Sequence, residues 1–175
     1  LAISDSGTRL ALAHSPRFDH RAPKTVEIWD LTADGPKKQT VFVPYAPARN
    51  SGWSDATVWA LFVEEDRLLT SSDRGTIVNW TLSSLKPKWV FSCGWNQEPT
   101  VSSDLKSLAC ISGNAVFLID VTYGKVLTSQ RIPMRGGQAC LRFSPTGEKL
   151  ALAAGGKLIV VNAADGSLIK STLEE

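Results

Sequence analysis

The 175-residue chain carries 19 basic and 17 acidic residues, a net charge of +2, 43% hydrophobic residues and three cysteines, the proportions of an ordinary globular domain. So small a net charge gives no electrostatic ground for a polyanionic partner, and no apolar run approaches the roughly 20 residues that span a bilayer as a helix; neither nucleic acid nor membrane is expected. Cys93, Cys110 and Cys140 are odd in number and lack Cys-x-x-Cys spacing, which argues against a disulfide framework and points to a reducing, cytoplasmic compartment, with one disulfide plus a free thiol left open.

The chain opens on a short apolar strand, "LAIS", a polar turn at Asp5-Ser6-Gly7, and a second apolar strand, "RLALAH". Gly takes positive φ in such a turn without steric cost, and Asp suits its earlier positions. Residues 14–25 lengthen the next turn before a third strand in "TVEIWDL", and residues 33–52 lengthen the passage onward; five of the nine prolines fall between Pro16 and Pro47. Loops of this kind are where a repeat acquires its individual contacts. "WALFVEEDRLLTSS" repeats the strand-turn-strand plan, and Asp73-Arg74-Gly75 turns the chain into "GTIVNWTL". A helix across Trp53 to Arg74 is the rival there, since Val58, Leu61, Phe62 and Leu69 form a stripe, but Glu65 falls on that stripe and strand is expected. "TVSSDLKSLACIS" with "NAVFLIDV", then "LRFSPTGEKLALAA" with "GKLIVVNA", follow the same plan, with turns at Pro145-Thr146-Gly147 and Gly155-Gly156.

Equivalent third-strand positions are Trp29, Trp80, Ile119 and Val161, spaced by 51, 39 and 42 residues, while Gly52-Trp53, Gly94-Trp95 and Gly136-Gly137 recur at intervals of 42. Two markers sharing a period of about 40 residues define repeats of four strands each. The fold class is therefore all-β, a β-propeller fragment of about four four-stranded antiparallel blades. Residues 1–175 form one partial propeller domain, with blade 1 at about 1–50, blade 2 at 51–93, blade 3 at 94–135 and blade 4 at 136–175. Near-continuous apolar strands such as "AVFLID" fit sheets covered on both faces.

The Trp29-Asp30 ending of "TVEIWDL" and the Asp73-x-Gly75 turn ahead of Trp80 resemble the WD-repeat family, and the resemblance extends over essentially the whole chain. The Trp-Asp dipeptide becomes Trp80-Thr81, Ile119-Asp120 and Val161-Asn162, and the Gly-His dipeptide stands as Gly52-Trp53, Gly94-Trp95 and Gly136-Gly137. Trp29, Asp30, Asp73, Gly75, Trp80 and Asp120 are thereby the structural repeat positions. The resemblance implies a buried network of a His, a Ser or Thr, the Trp and the turn Asp, yet no blade carries that His. "IDVTYGKVLTS" and "VNAADGSLIKS" also resemble quinoprotein-type propeller repeats. WD-repeat propellers close with about seven blades, so the remaining blades of the same polypeptide are expected, and with them any targeting signal.

Little in the chain points to catalysis. Only His14 and His20 could serve a nucleophile as base, and neither stands near a nucleophile-elbow pattern. His14, Asp19 and His20 fit no standard metal spacing, and "AAGGKL" lacks the spaced Gly of a phosphate loop. No enzyme activity, metal or cofactor is expected. Asn79-Trp80-Thr81 matches the glycosylation pattern but falls in a third strand, where burial is expected. Cys110 and Cys140 are expected to be small core residues, and Lys37-Lys38 and Lys86/Lys88 to be solvated turn charges. In WD-repeat proteins the passage from a fourth strand to the next first strand meets partners, which here implicates Trp53, Asp55, Trp95, Asn96, Gln97, Met134 and Arg135. Trp and Arg supply large area with a polar handle, although for Trp53 and Trp95 packing that fills the space of the missing His is the favoured reading, since buried aromatics outnumber functional ones. The expected function is a non-enzymatic interaction scaffold displaying loops to a protein or peptide. The alternatives are a quinoprotein-like or periplasmic enzyme propeller, and a regulatory propeller attached to a catalytic domain.

Overall fold

The structure is a computed structural model, and it describes residues 1–14, 24–45, 55–93, 98–131, 139–154 and 157–171. The chain divides into two compact units, Leu1–Ser92 and Cys93–Glu175, each holding two four-stranded antiparallel sheets. In the first unit, β1 (Ala2–Ile3), β2 (Arg9–His14), β3 (Thr25–Thr32) and β4 (Gly35–Phe42) form one sheet, followed by β5 (Thr57–Glu64), β6 (Arg67–Ser72), β7 (Thr76–Thr81) and β8 (Lys86–Ser92). In the second unit, β9 (Thr100–Val101), β10 (Ser107–Ser112), β11 (Ala115–Asp120) and β12 (Val126–Arg131) precede β13 (Ala139–Phe143), β14 (Lys149–Ala154), β15 (Lys157–Asn162) and β16 (Leu168–Ser171). Every sheet is a plain meander. Among the described residues the Trp53–Arg74 stretch forms β5 and β6 with a turn at Glu65-Asp66 between them and no helix, as the misplaced Glu65 implies.

The four marker residues are equivalent in register. Trp29, Trp80, Ile119 and Val161 pair with Leu10, Leu68, Leu108 and Leu150 on their second strands. Immediately before each marker the ladder to the fourth strand slips by one residue, leaving Gln39, Lys88, Leu127 and Ile169 as the extra residue of a β-bulge. A period first visible as residue spacing is thus also a period of backbone geometry.

Alternation along the strands builds each core. In the first unit Ala11, Val26 and Ile28 of one sheet cluster with Phe62, Leu68, Val78 and Trp80 of the next, and Phe42 meets the Trp80 ring edge-on at 5.2 Å. The second unit reproduces this with Ala109, Ile111, Val116 and Leu118 against Leu141, Leu150, Leu152, Ile159 and Val161. Asn79, within the glycosylation pattern, is fully buried.

The turns between first and second strands close with hydrogen bonds from Gly7 to Ser4 and Gly147 to Ser144, both glycines at positive φ. The third such turn puts Leu105 there at φ 58°, and Leu85 at φ 51° stands where Gly124 and Gly166 stand in later blades. Two leucines thus hold a left-handed conformation that L side chains disfavour.

Three expectations are corrected. Residues 33–52 are not simply a lengthened passage, because Gly35–Phe42 is the fourth strand of the first sheet; its outward position needs no apolar alternation. For the same reason Lys37-Lys38 and Lys86/Lys88 lie on strands β4 and β8 rather than in turns. Cys140 is exposed whereas Cys110 is buried, since on β13 it is Leu141 that faces the core and Cys140 alternates to the side of exposed Arg142. The Gly52-Trp53, Gly94-Trp95, Gly136-Gly137 and Gly155-Gly156 pairs lie outside the described residues, as do Asp19 and His20.

Candidate functional site

Of the residues predicted to meet a partner, Trp53, Trp95, Asn96, Gln97, Met134 and Arg135 lie outside the described residues, and Asp55 is described. Asp55 comes just before β5. The next residue, Ala56, gives its N–H to Asp73 Oδ1 at 3.1 Å and takes the Asp73 N–H at 2.8 Å on its carbonyl, which lengthens the β5/β6 pairing by one rung. Asp73, predicted as the turn aspartate, therefore clamps the start of the blade's first strand. The turn itself closes from the Gly75 N–H to the Ser72 carbonyl at 2.9 Å, with Gly75 at φ 78°.

That rung sets the direction of neighbouring side chains. An extended Ala56 puts Asp55 and Thr57 on one side of the strand. The Asp55 carboxylate lies 3.1 Å from Arg74 Nε, with side-chain exposures of 17% and 37%. Burial holds the Asp55 carboxyl above its ordinary value of 3.8, against the opposing charge of Arg74; the charge of Asp73 adds to the rise and that of Lys24 opposes it. Thr57 Oγ1 is buried with no hydrogen-bond partner among the described residues. The site is thus a partly desolvated acid, a half-exposed guanidinium, a neighbouring ammonium and an unsatisfied hydroxyl.

Behind it runs a buried polar chain. Trp80 Nε1 donates to Thr70 Oγ1 at 3.0 Å, the Thr70 and Tyr45 hydroxyls are 2.8 Å apart, and Tyr45 Oη donates to the Thr76 carbonyl at 3.1 Å. Tyr45 has one hydroxyl proton and directs it to Thr76, so Thr70 must give its own proton to Tyr45. The donors run one way, from Trp80 through Thr70 and Tyr45 to the Thr76 carbonyl, and such chains polarise cooperatively. The resemblance implied a His, a Ser or Thr, the Trp and the turn Asp; here Tyr45 joins Thr70 and Trp80, while Asp73 bonds to Ala56 and takes no part in the chain. Tyr45 escaped the sequence reading because it lies outside the Gly-x dipeptides and reaches a strand 25 residues later.

The other repeat positions differ. The residue of the first blade that corresponds to Thr70 is Leu12, which offers no acceptor, so Trp29 turns its Nε1 to Glu27 Oε2 at 2.9 Å. Lys38 stands 4.9 Å over that indole and 2.6 Å from Glu27 Oε1. Its hydrogen bond leads the causes that hold the Glu27 carboxyl below its ordinary value, and His14 Nε2 lies 3.4 Å from the same carboxylate. Asp30 Oδ1 sits 3.3 Å from Arg9 Nε and makes no hydrogen bond among the described residues. Asp120 caps its turn by accepting the Tyr123 N–H at 2.8 Å. Among the described residues no three His, Cys, Asp or Glu side chains gather as a metal site.

Four meander sheets with a bulge at one repeated place and a one-way polar chain at the Trp position define the chain as a β-propeller protein. Solved structures agree: it overlays a chain of the mitotic checkpoint complex with a TM-score of 0.68 at 15% identity, and BamB from Moraxella catarrhalis with a TM-score of 0.66 at 14% identity. In both cases 97% of this chain is covered, but only 49% and 51% of the other, so it spans about half the length of those proteins. No protein-family profile matches the sequence, and no curated protein matches it.

Proposed function

We propose that the chain works by display, as a non-enzymatic propeller module whose loops bind a protein or peptide. The observation that carries this reading is the Asp55–Arg74 pair at the start of a first strand. Asp55 is ionised at some cost because it is partly out of water, and Arg74 keeps more than a third of its side chain exposed. A partner that gives Asp55 an N–H and takes a donor from Arg74 relieves the first and uses the second, and arginine in such a setting is a frequent hot spot. Association with proteins is also what one overlaid structure, the mitotic checkpoint complex, exemplifies.

The test is affinity capture with quantitative mass spectrometry, comparing wild type with Asp55→Ala and Arg74→Ala, each first shown to melt near wild type. Truncating a hot spot of about 2 kcal/mol weakens binding about 30-fold, so a defined set of proteins should be lost in both variants. Retention of the same set at the same abundance overturns the assignment of this site.

A further inference from the structure

In the third blade the position of Thr70 is taken by Cys110, because Cys110 pairs with Phe117 two residues before the marker Ile119, just as Thr70 pairs with Val78 two residues before Trp80. What approaches it is again a residue just past a fourth strand: Tyr45 follows β4, and Cys93 follows β8 directly. Both sulfurs are thiols not joined in a disulfide, buried at 1% and 0% exposure, and each is the other's hydrogen-bond partner. Where one blade closes this contact with two hydroxyls, the next closes it with two sulfurs. A hydroxyl pair can only exchange protons. A thiol pair can also lose two electrons.

From this juxtaposition we propose that Cys93 and Cys110 are an oxidisable dithiol, converted by peroxide to an intramolecular disulfide that ties the passage after β8 to the second strand of the third blade. The roles within the pair follow from place: Cys110 is held mid-strand in β10, opposite Phe117 of β11, whereas Cys93 stands just past the end of a strand, and the hydrogen bond between them acts in the same direction. Cys110 gives its S–H to Cys93, which pulls Cys93 toward the thiolate; the same bond, with burial, pushes Cys110 up and keeps it a thiol. Cys93 is therefore the attacking sulfur. Its thiolate attacks one oxygen of hydrogen peroxide, forming the Cys93 S–O bond as the O–O bond breaks, and the departing hydroxide takes up the proton that Cys93 released and leaves as water. Cys110 then attacks the sulfenic sulfur, the S–O bond breaks, the Cys110 proton leaves on a second water, and the S–S bond forms. Two thiols lose two electrons and two protons while one peroxide becomes two waters. Exposed Cys140 is outside the pair.

The experiment uses the full chain carrying Cys140→Ser, so that two of the three cysteines remain. Brief peroxide treatment below the melting temperature should bring the thiol count in denaturant from two to zero, with the intact mass lower by two hydrogens and restored by dithiothreitol. The mapped disulfide peptide should join Cys93 to Cys110. With Cys110→Ser added, the reaction should stop at a Cys93 sulfenic acid that dimedone traps; with Cys93→Ser added, Cys110 should stay reduced. Two surviving thiols, disulfide-linked dimers as the product, or dimedone labelling of Cys110 in place of Cys93 each overturn the assignment.

Discussion

Replacing Thr70 by Val keeps the shape of a fully buried side chain and deletes the middle of the one-way donor chain. Trp80 Nε1 loses its acceptor at 3.0 Å inside the core, and Tyr45 loses the proton it accepts at 2.8 Å while keeping its own bond to Thr76. A buried donor left without a partner costs about 1–3 kcal/mol, and a hydrogen bond lost where the other group stays satisfied about 0.5–1.5 kcal/mol. Thr70→Val should therefore cost about 2–4 kcal/mol. Tyr45→Phe leaves the buried Thr70 hydroxyl without its acceptor and the Thr76 carbonyl without its donor, so by the same reckoning it should also cost about 2–4 kcal/mol, while Thr70→Ser should lie close to wild type, since it keeps the hydroxyl. The double variant Thr70→Val/Tyr45→Phe should fall short of the sum of the singles by about 1 kcal/mol, the mark of coupled groups. Urea titration followed by tryptophan fluorescence measures all four, and in a chain of this size each kcal/mol is about 2–4 °C of Tm. A Thr70→Val or a Tyr45→Phe protein within about 0.5 kcal/mol of wild type, below the cost of any orphaned buried donor, refutes the chain.

Leu105 and Leu85 bear positive φ where other blades have glycine. Leu105→Gly should stabilise by about 0.5–1 kcal/mol, since a left-handed L residue costs about 1–2 kcal/mol and glycine returns part of that as entropy; Leu105→Ala keeps the strain, and if it melts as high as the glycine variant, strain is not the cause. The Glu27 carboxyl lies below its ordinary value of 4.5 in the folded protein, so its contribution is complete above the unfolded value and disappears as pH falls through the folded one. Glu27→Gln should therefore flatten the loss of stability below pH 4.5, and chemical denaturation at stepped pH would show parallel acid limbs for variant and wild type if the Lys38–Glu27 contact were inert.

Trp29, Trp80, Ile119 and Val161 were legible as equivalents because a repeated strand meander imposes its period on spacing, and the Gly-bearing turns fixed the register. Gly35–Phe42 was not, because an outer strand shows solvent one face and much of its edge, so Pro36 and Lys37-Lys38 break no rule there while looking like loop. The different fates of Trp29 and Trp80 turn on the residues across the ladder, Leu12 against Thr70, and only register reveals which indole finds an acceptor. Asp55 was singled out by its place in the chain, ahead of a first strand. Its companions Arg74, Lys24 and Thr57 were not, since a turn, a strand start and a preceding loop converge there only after folding.

The bulge ahead of each marker has a bearing on what these blades refuse. An outermost strand is a row of open amide and carbonyl groups that invites an extended segment to zip alongside. Gln39, Lys88, Leu127 and Ile169 each interrupt their strand midway with one residue too many, so the spacing of donors and acceptors on either side of the break no longer matches any regular incoming strand. Four sheets thus spoil their own rims at the same place, which works against strand-by-strand growth.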